Sequence, residues 1–323
     1  MPADFPNNRL GLARWLVMPD HPLTARVTVN RIWQQLFGVG IVKTVEDFGS
    51  QGEWPSHPEL LDCLATEFVA SGWDVKALIK RIVMSSTYRQ SSKVTREMLA
   101  RDPENRLLSR GPRSRLDGEV IRDSVLAVSG LLSETLGGPS VFPYHPPGLW
   151  QEINNRPNYS RTYQQSSGNE LFRRSLYTFW KRTVTPPSMA AFDAPDREYC
   201  VVRRSQTNTP LQAFVMLHDP QFVEAARHLA GSLLKLPDLN ARQRIELGFR
   251  KCNARRPSDA ELATLATLLQ SRQQRYAADE SARSNLLSVG DTPVDDTIDP
   301  VQLAAWTSVC RSMLNLSEFI TKP

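Results

Sequence analysis

The sequence predicts a mainly α fold, with one large helical domain over residues 1–323 and a proline-rich, loop-rich central region at residues 139–210. The first observation behind this prediction is that apolar residues recur at helical spacing over most of the chain outside that region. The second is that the 23 prolines cluster in connections rather than in the helical runs. The third is that β-favouring runs are confined to residues 175–180 and 199–202, which predicts one or two short strands.

Several of the predicted helices carry recognisable ends. Ser56 and Ser258 are each followed three residues later by a glutamate, the pattern of a capping box that opens a helix. The clearest long helix is predicted over residues 116–136, where Asp117 opens it and a pair of glycines ends it. Residues 278–299 are rich in acidic side chains and are predicted to form a long loop before the last helix.

Composition and motifs exclude several classes of function. The net charge of +5 is spread along the chain, so nucleic acid is not expected as a partner. No apolar run approaches the roughly 20 residues that span a bilayer, and the N-terminal segment lacks the apolar core of a signal peptide. The 4 cysteines show neither zinc nor haem spacing, so no metal or cofactor is expected in this chain. No sequence motif specific to one reaction occurs.

The loop at residues 139–168 carries the first group of candidate binding residues. Its five prolines and its run of Asn, Gln and Ser exclude long regular structure. Aromatic and imidazole side chains interleave with these polar residues: Tyr144, His145, Trp150, Tyr159 and Tyr163. Such a loop could form a surface on which sugars stack, with His145, Trp150 and Tyr163 as binding residues. It could equally pack its own side chains onto the domain.

The second group of candidates lies in the stretch from Arg173 to Pro220, which carries more polar and conformationally restricted residues than a core needs. Three carboxylates fall within six residues there, at Asp193, Asp196 and Glu198. The stretch also holds candidate binding residues for an anionic or polar ligand: Arg173, Arg174, Arg197, Arg203, Arg204 and Asn208.

The three carboxylates allow more than one interpretation. Asp193, Asp196 and Glu198 could act as the acid and base of an enzyme, or as oxygen ligands of a hard cation. They could also form a buried ion-pair lattice with neighbouring arginines such as Arg203 and Arg204, which would hold the loop in place. The spacing of an EF-hand calcium loop is absent, which disfavours the metal interpretation.

Three long stretches of the chain resemble a known family. They are LTARVTVNRIWQQLFGVGIVKTVEDFG at residues 23–49, HPELLDCLATEFVASGWDVKALIKRIVMSSTYRQS at residues 57–91, and RRSLYTFWKRT with FDAPDREYCVVRRSQTNTPLQAFVMLHDPQFVEAA within residues 173–226. These stretches resemble the planctomycete-specific C-terminal domain of unknown function. That domain ends large planctomycete proteins that often carry an N-terminal cytochrome c domain.

The resemblance implies an exported or periplasmic, multidomain setting linked to the breakdown of polysaccharides. Haem would belong only to an upstream domain, and the family offers no established catalytic residue to carry over. We therefore expect a non-catalytic binding or interaction domain whose partner is a glycan or another protein domain. The alternatives are a carboxylate-dependent enzyme centred on residues 193–198, acting on glycans, and an electron-transfer partner of a cytochrome c module.

Overall fold

The computed structural model describes Pro2, residues 4–153 and residues 161–322. Within these residues the chain is mainly helical, as the sequence predicts, and the only β pairings are isolated bridges. The chain divides into two compact units. Residues 1–114 and 322–323 belong to the first unit, and residues 115–321 to the second. The prediction of a single domain over the whole chain stays a prediction.

Helices α1 to α5 belong to the first unit. They are α1 (Arg9–Leu16), α2 (Thr24–Phe37), α3 (Pro58–Ala70), α4 (Val75–Met84) and α5 (Arg96–Arg101). In α2 the apolar side chains of Val29, Trp33 and Phe37 recur at every fourth residue and are buried. They pack against buried leucines of α3 and α4, with the Trp33 and Phe37 rings stacked at 4.1 Å between centroids. This apolar cluster stabilises the first unit.

Helices α6 to α15 belong to the second unit. They are α6 (Gly118–Ser129), α7 (Leu149–Ile153), α8 (Pro187–Ala190), α9 (Pro210–His218), α10 (Pro220–Leu234), α11 (Ala241–Asn253), α12 (Asp259–Ala278), α13 (Glu280–Leu287), α14 (Pro300–Leu314) and α15 (Ser317–Ile320). Two short 3₁₀ turns, Gly168–Phe172 and Ser175–Tyr177, lie in the central region.

Two helices, α10 and α14, form the centre of the second unit and pack along each other. Both are buried around most of their circumference. Small residues on each helix, among them Ala226 of α10 and Ala305 of α14, let the two backbones approach closely. Helix α6 packs on α10 and α12 packs on α14, which completes one apolar cluster. The central region lies against this framework through α6 and the 3₁₀ turns.

The structure corrects the prediction of a helix over residues 116–136. Helix α6 ends at Ser129 because Gly130 adopts a left-handed conformation at φ 80° and donates its backbone N–H to the last turn. The following residues form no helix, and Ser133 makes an isolated bridge with Arg173. Asp117 does precede the helix, although its side chain makes no capping hydrogen bond.

The predicted strands are also wrong. Residues 175–180 begin with the 3₁₀ turn Ser175–Tyr177, and then Thr178 makes one isolated bridge with Val141. Residues 199–202 have no regular structure. A β-favouring run needs neighbouring strands to pair with, and the described part of the chain provides none here.

The two predicted capping boxes have different outcomes. The capping box at Ser258 is confirmed, because its side chain and that of Glu261 each bond the other residue's backbone N–H. The box at Ser56 is wrong, since His57 is the residue that precedes α3 and no side chain caps it. The predicted acidic loop is too long, because α13 forms within it where Asp279 caps the helix by accepting from the Ala282 N–H at 2.9 Å.

Across residues 4–153 and 161–322, no helix is long and apolar enough to cross a membrane.

Candidate functional site

The two segments that the sequence analysis selected meet at one small pocket in the second unit. His145, Trp150 and Tyr163 of the 139–168 loop line one part of it. Thr178 and Phe179 of the central stretch line another part. Arg122 of α6 and Gln221 of α10 complete the wall, and the interior has room for about one water molecule. Tyr159, another candidate of this loop, lies outside the described residues.

Aromatic packing gives this pocket its shape. The Trp150 ring meets the Tyr163 ring edge-on at 5.1 Å between centroids, and the His145 ring lies 4.6 Å from Tyr163. Phe142 stacks on Phe179 at 4.8 Å. Edge-on and offset ring pairs of this kind are favourable beyond the area that they bury. The loop therefore packs on itself, as one of the two sequence-based interpretations proposed, and the same packing encloses a pocket.

Three polar atoms at the pocket lack hydrogen-bond partners among the described residues. They are Trp150 Nε1, His145 Nε2 and Thr178 Oγ1. The side chains of Trp150 and Thr178 are only 5% and 6% exposed, so water outside the pocket does not satisfy them. A buried polar group without a partner costs about 1–3 kcal/mol. Such groups around one pocket indicate that an oxygen atom from water or a ligand occupies it.

His145 supplies the opposite hydrogen-bonding role to Trp150. Its Nδ1 lies 3.3 Å from the carbonyl oxygen of Pro146, which can only accept, so Nδ1 carries the proton. Burial lowers the pKa of His145, which keeps the ring neutral and leaves Nε2 as an acceptor. Trp150 Nε1 can only donate, and the Thr178 hydroxyl can do either. The pocket can thus both donate to and accept from a hydroxyl group.

Arg122 is the charged group at the pocket and is 1% exposed. Its guanidinium donates to Gln221 Oε1 at 2.6 Å and to the carbonyl oxygens of Arg173 and Leu171, both at 2.7 Å. It also donates to Ser175 Oγ at 3.2 Å. Burial lowers the pKa of Arg122 to about 10, so it remains a cation at neutral pH. These bonds hold both 3₁₀ turns against α6.

Arg173 and Arg174 support this region rather than point into the pocket. The Arg173 side chain is buried, donates to the carbonyl oxygens of Thr135, Gly137 and Pro139, and lies 3.9 Å from the centroid of the Tyr177 ring. Arg174 is half exposed and lies 3.6 Å from Asp123. Both arginines make architectural contacts in this structure.

Asp193 lies in an ion-pair lattice, and its partner differs from the one that the sequence suggested. Its carboxylate accepts from Arg115 Nη2 at 2.5 Å and from the backbone N–H of Thr207 at 2.8 Å. The Thr207 hydroxyl adds a bond at 2.9 Å, and Arg115 also donates to the Thr207 carbonyl oxygen at 3.2 Å. Arg115 therefore takes the place expected for Arg203 or Arg204. These bonds hold Thr207, which lies three residues before α9 begins, against Asp193.

We expect Asp193→Asn to lower the free energy of unfolding by about 3 kcal/mol, because it leaves the largely buried Arg115 without its counter-ion. Urea titration followed by circular dichroism measures the change. Asp259→Asn is the matched control, since the Asp259 side chain is 95% exposed and pairs with Arg242 on the surface. The control should change stability by less than about 1 kcal/mol. Equal effects in the two variants would contradict the lattice interpretation.

Asp196, Arg197 and Glu198 are exposed and do not join that lattice. Asp196 Oδ1 accepts from the backbone N–H of Glu198 at 2.9 Å, and its carbonyl oxygen accepts from Trp180 Nε1 at 3.1 Å. The Arg197 guanidinium lies 4.2 Å from the centroid of the Trp180 ring. The three candidate catalytic carboxylates thus have separate partners, and no described hydrogen bond joins any two of their side chains.

Of the remaining candidate binding residues, one forms an ion pair with α6 and two are exposed. Arg204 donates to both carboxylate oxygens of Glu119 on α6, at 2.6 and 3.1 Å. Arg203 and Asn208 are exposed. In the part of the chain that the structure describes, no group of three His, Cys, Asp or Glu side chains is placed to hold a metal ion.

Asp219 begins α10 by accepting from the Gln221 N–H at 3.0 Å, and burial raises its pKa to about 6. An acid with a higher pKa in the folded state binds more protons when folded. The free energy of unfolding should therefore fall by about 2 kcal/mol as pH rises from about 4 to about 6. Asp219→Asn, which keeps a capping oxygen, should remove this part of the pH dependence. Urea titrations of both proteins across this range measure it, and parallel curves would contradict the assignment.

Sequence reasoning missed Arg122, Thr178 and Arg115. Arg122 is a charged residue in the middle of a helix and was not among the candidates, yet it is buried. A signal was present, because Arg122 shares a helical face with Leu126 and Ser129, four and seven residues later, and both are buried. Arg115 carried no comparable signal, because its partner Asp193 is 78 residues away in the sequence. No local pattern marked Thr178 as a buried residue at a pocket.

The fold and this pocket define a class of protein: a mainly helical chain whose aromatic loop encloses a small polar pocket. Residues 8–269 match the family PSD1, described as a protein of unknown function (DUF1553). The match covers most of the chain, which therefore belongs to this family. Searches of the curated proteins and of the solved structures each found no match.

Proposed function

We propose that this chain is a non-catalytic binding module that binds a glycan at the mouth of the pocket formed by His145, Trp150, Tyr163, Thr178 and Phe179, with one oxygen of the glycan in the water-sized interior. One observation carries the proposal. Trp150 Nε1 and Thr178 Oγ1 are buried without partners in the described part of the chain, and both residues line the pocket. A sugar hydroxyl can accept from one such group and donate to an acceptor such as His145 Nε2.

The surroundings of the pocket support a sugar as the ligand. Phe179 lines the pocket and is 39% exposed as a whole residue, and an exposed aromatic ring is an apolar surface on which a sugar ring can pack. Aromatic walls with a few polar groups are typical of small-ligand sites in proteins. The arrangement supports binding more than catalysis, because Asp193 is engaged by Arg115 and Thr207.

We further propose the wider setting that the family resemblance implies. In it the chain is part of an exported, multidomain protein of the planctomycete type that acts on polysaccharides, and a cytochrome c module is its partner domain. A pull-down between this chain and such a module, expressed separately, tests that part of the proposal. The carboxylate-dependent enzyme and the electron-transfer role stay predictions.

The decisive experiment compares the wild type with Thr178→Val on a panel of polysaccharides. Valine keeps the shape of threonine but removes the unpartnered hydroxyl, so the fold should be as stable as before or more stable. Binding should fall by about tenfold, because one buried hydrogen bond to the ligand is lost. Thr307→Val is the matched control, since Thr307 is fully buried and its hydroxyl bonds Leu303 within α14.

Release of new reducing ends is recorded in the same samples. We expect binding without release. Release that disappears in Asp193→Asn, in a variant that still melts normally, would establish an enzyme instead. A failure of every polysaccharide to bind would also contradict the proposal.

A further inference from the structure

The pocket is lined by positive charge without a negative counterpart among its described lining residues. Among the described residues that line it, none is Asp or Glu, whereas Arg122 is a fully buried cation. The unpartnered group at Trp150 is a donor as well.

The carboxylate of Asp123 is near Arg122 but does not fully balance its positive charge. Asp123 Oδ1 lies 3.7 Å from Arg122 Nη1, outside hydrogen-bond distance. The same carboxylate faces Arg174 at 3.6 Å and accepts from the Ser175 N–H at 2.7 Å. Asp123 therefore serves two arginines. The other acid that interacts with Arg122 is Asp219, which does not line the pocket and whose pKa burial raises to about 6.

We infer that the pocket selects glycans that carry an acidic group, either a uronic carboxylate or a sulfate ester, whose oxygen accepts from Trp150 Nε1 and Thr178 Oγ1. The inference rests on the proposed function and names its ligand class. The positive charge of Arg122 acts at short range through a water-poor wall, where screening by salt is weak and attraction is strong. A neutral sugar hydroxyl can accept the same hydrogen bonds and can also donate to His145 Nε2, but it lacks that attraction.

Matched polymers test this inference on the full chain. A polyuronate is compared with the same polymer after its carboxyl groups have been reduced to alcohols, and a sulfated galactan is compared with its desulfated form. Calorimetry should show each acidic polymer binding about tenfold or more tightly than its neutral partner. The two pairs separate a carboxylate from a sulfate as the preferred group.

Nonspecific attraction is a real competitor, because the chain carries a net charge of +5. Thr178→Val and Trp150→Phe separate the two, since each removes a donor in the pocket without changing the charge. Both variants should lose about tenfold in affinity for the acidic polymer, and the Thr307→Val control should lose none. If Trp150→Phe folds poorly, the affinity of Thr178→Val for the acidic polymer is sufficient to test the inference.

Each result has a defined meaning. Equal binding of acidic and neutral polymers would overturn the inference and leave the glycan proposal intact. If Thr178→Val binds the acidic polymer as tightly as the wild type does, the acidic group binds at another surface and the inference is overturned. Binding of no polymer at all would reject both the inference and the proposed function.

Discussion

Replacing Arg122 by methionine is expected to lower the free energy of unfolding by at least about 4 kcal/mol, near the upper end for a single substitution. Arg122 donates to four acceptors from three different segments, at distances between 2.6 and 3.2 Å. Two of the acceptors are backbone carbonyl oxygens, of Leu171 and Arg173, in the region of the 3₁₀ turns. Methionine matches part of the volume and offers them no donor.

The loss is expected even though a buried charge is costly. Exchanging all members of a buried ionic group for apolar residues can be neutral or stabilising, because every polar partner leaves together. That route is closed here, since the carbonyl oxygens of Leu171 and Arg173 belong to the backbone and stay in place. Each acceptor left without a donor costs about 1–3 kcal/mol. The cost of the unmade bonds therefore exceeds the gain from removing the charge.

Urea unfolding of the full chain, followed by tryptophan fluorescence and by circular dichroism, measures the effect. Arg174→Met is the matched control, because Arg174 is half exposed and also faces Asp123. The control should cost less than about 1 kcal/mol. Arg122→Lys should be nearly as destabilising as Arg122→Met, since an ammonium cannot span the same four acceptors. A loss below about 1 kcal/mol in Arg122→Met would show that these contacts are dispensable.

Local signals in the sequence, such as helix caps and apolar spacing, predicted the local structure that they determine. The capping box at Ser258 opens α12 as expected, and Asp299 caps α14 through the Gln302 N–H at 2.8 Å. Helical spacing of apolar residues predicted the mainly helical structure of the chain. The central region was expected to lack long regular elements, and its described helices are short. Both candidate segments line the pocket, and their role as a functional site stays a prediction.

The sequence could not predict contacts that join distant segments. Asp193 meets Arg115 across 78 residues, while Arg203 and Arg204 lie much closer in sequence and were the natural guess. The run of residues 175–180 favours β structure locally, but in the described part of the chain it begins with a 3₁₀ turn and pairs only through the isolated bridge between Thr178 and Val141. Tertiary contacts of this kind override local preference, and no pattern in a single sequence shows them.

Gly290→Ala is expected to lower the free energy of unfolding by more than about 4 kcal/mol, for two reasons that add. Gly290 has φ of 99°, a conformation that an alanine adopts only with strain. A Cβ atom at this position would also lie 2.4 Å from the Glu224 carboxyl carbon, well inside van der Waals contact. Strain alone costs about 1–3 kcal/mol, and the collision adds to it.

Glu224 cannot move aside cheaply. It is fully buried on α10 and accepts from the Tyr144 hydroxyl at 2.7 Å and from the backbone N–H groups of Asp291 and Thr292 at 2.9 and 2.7 Å. Arg227 lies 3.6 Å away and balances its charge. A shift of the carboxylate would therefore break bonds to the loop after α13 and to Tyr144, and would leave charged groups unpaired in the interior.

A matched glycine separates the collision from the strain. Gly130 also has a left-handed backbone, at φ 80°, but a Cβ atom there would meet nothing within 4 Å. Gly130→Ala should thus cost only about 1 kcal/mol, and the difference between the two variants measures the contact with Glu224. Thermal and urea unfolding of both variants give that difference. Equal losses would mean that Glu224 relaxes freely. A large difference would mean that the Glu224 cluster is rigid, and Tyr144 would then hold the neighbouring His145 at the pocket through the same carboxylate.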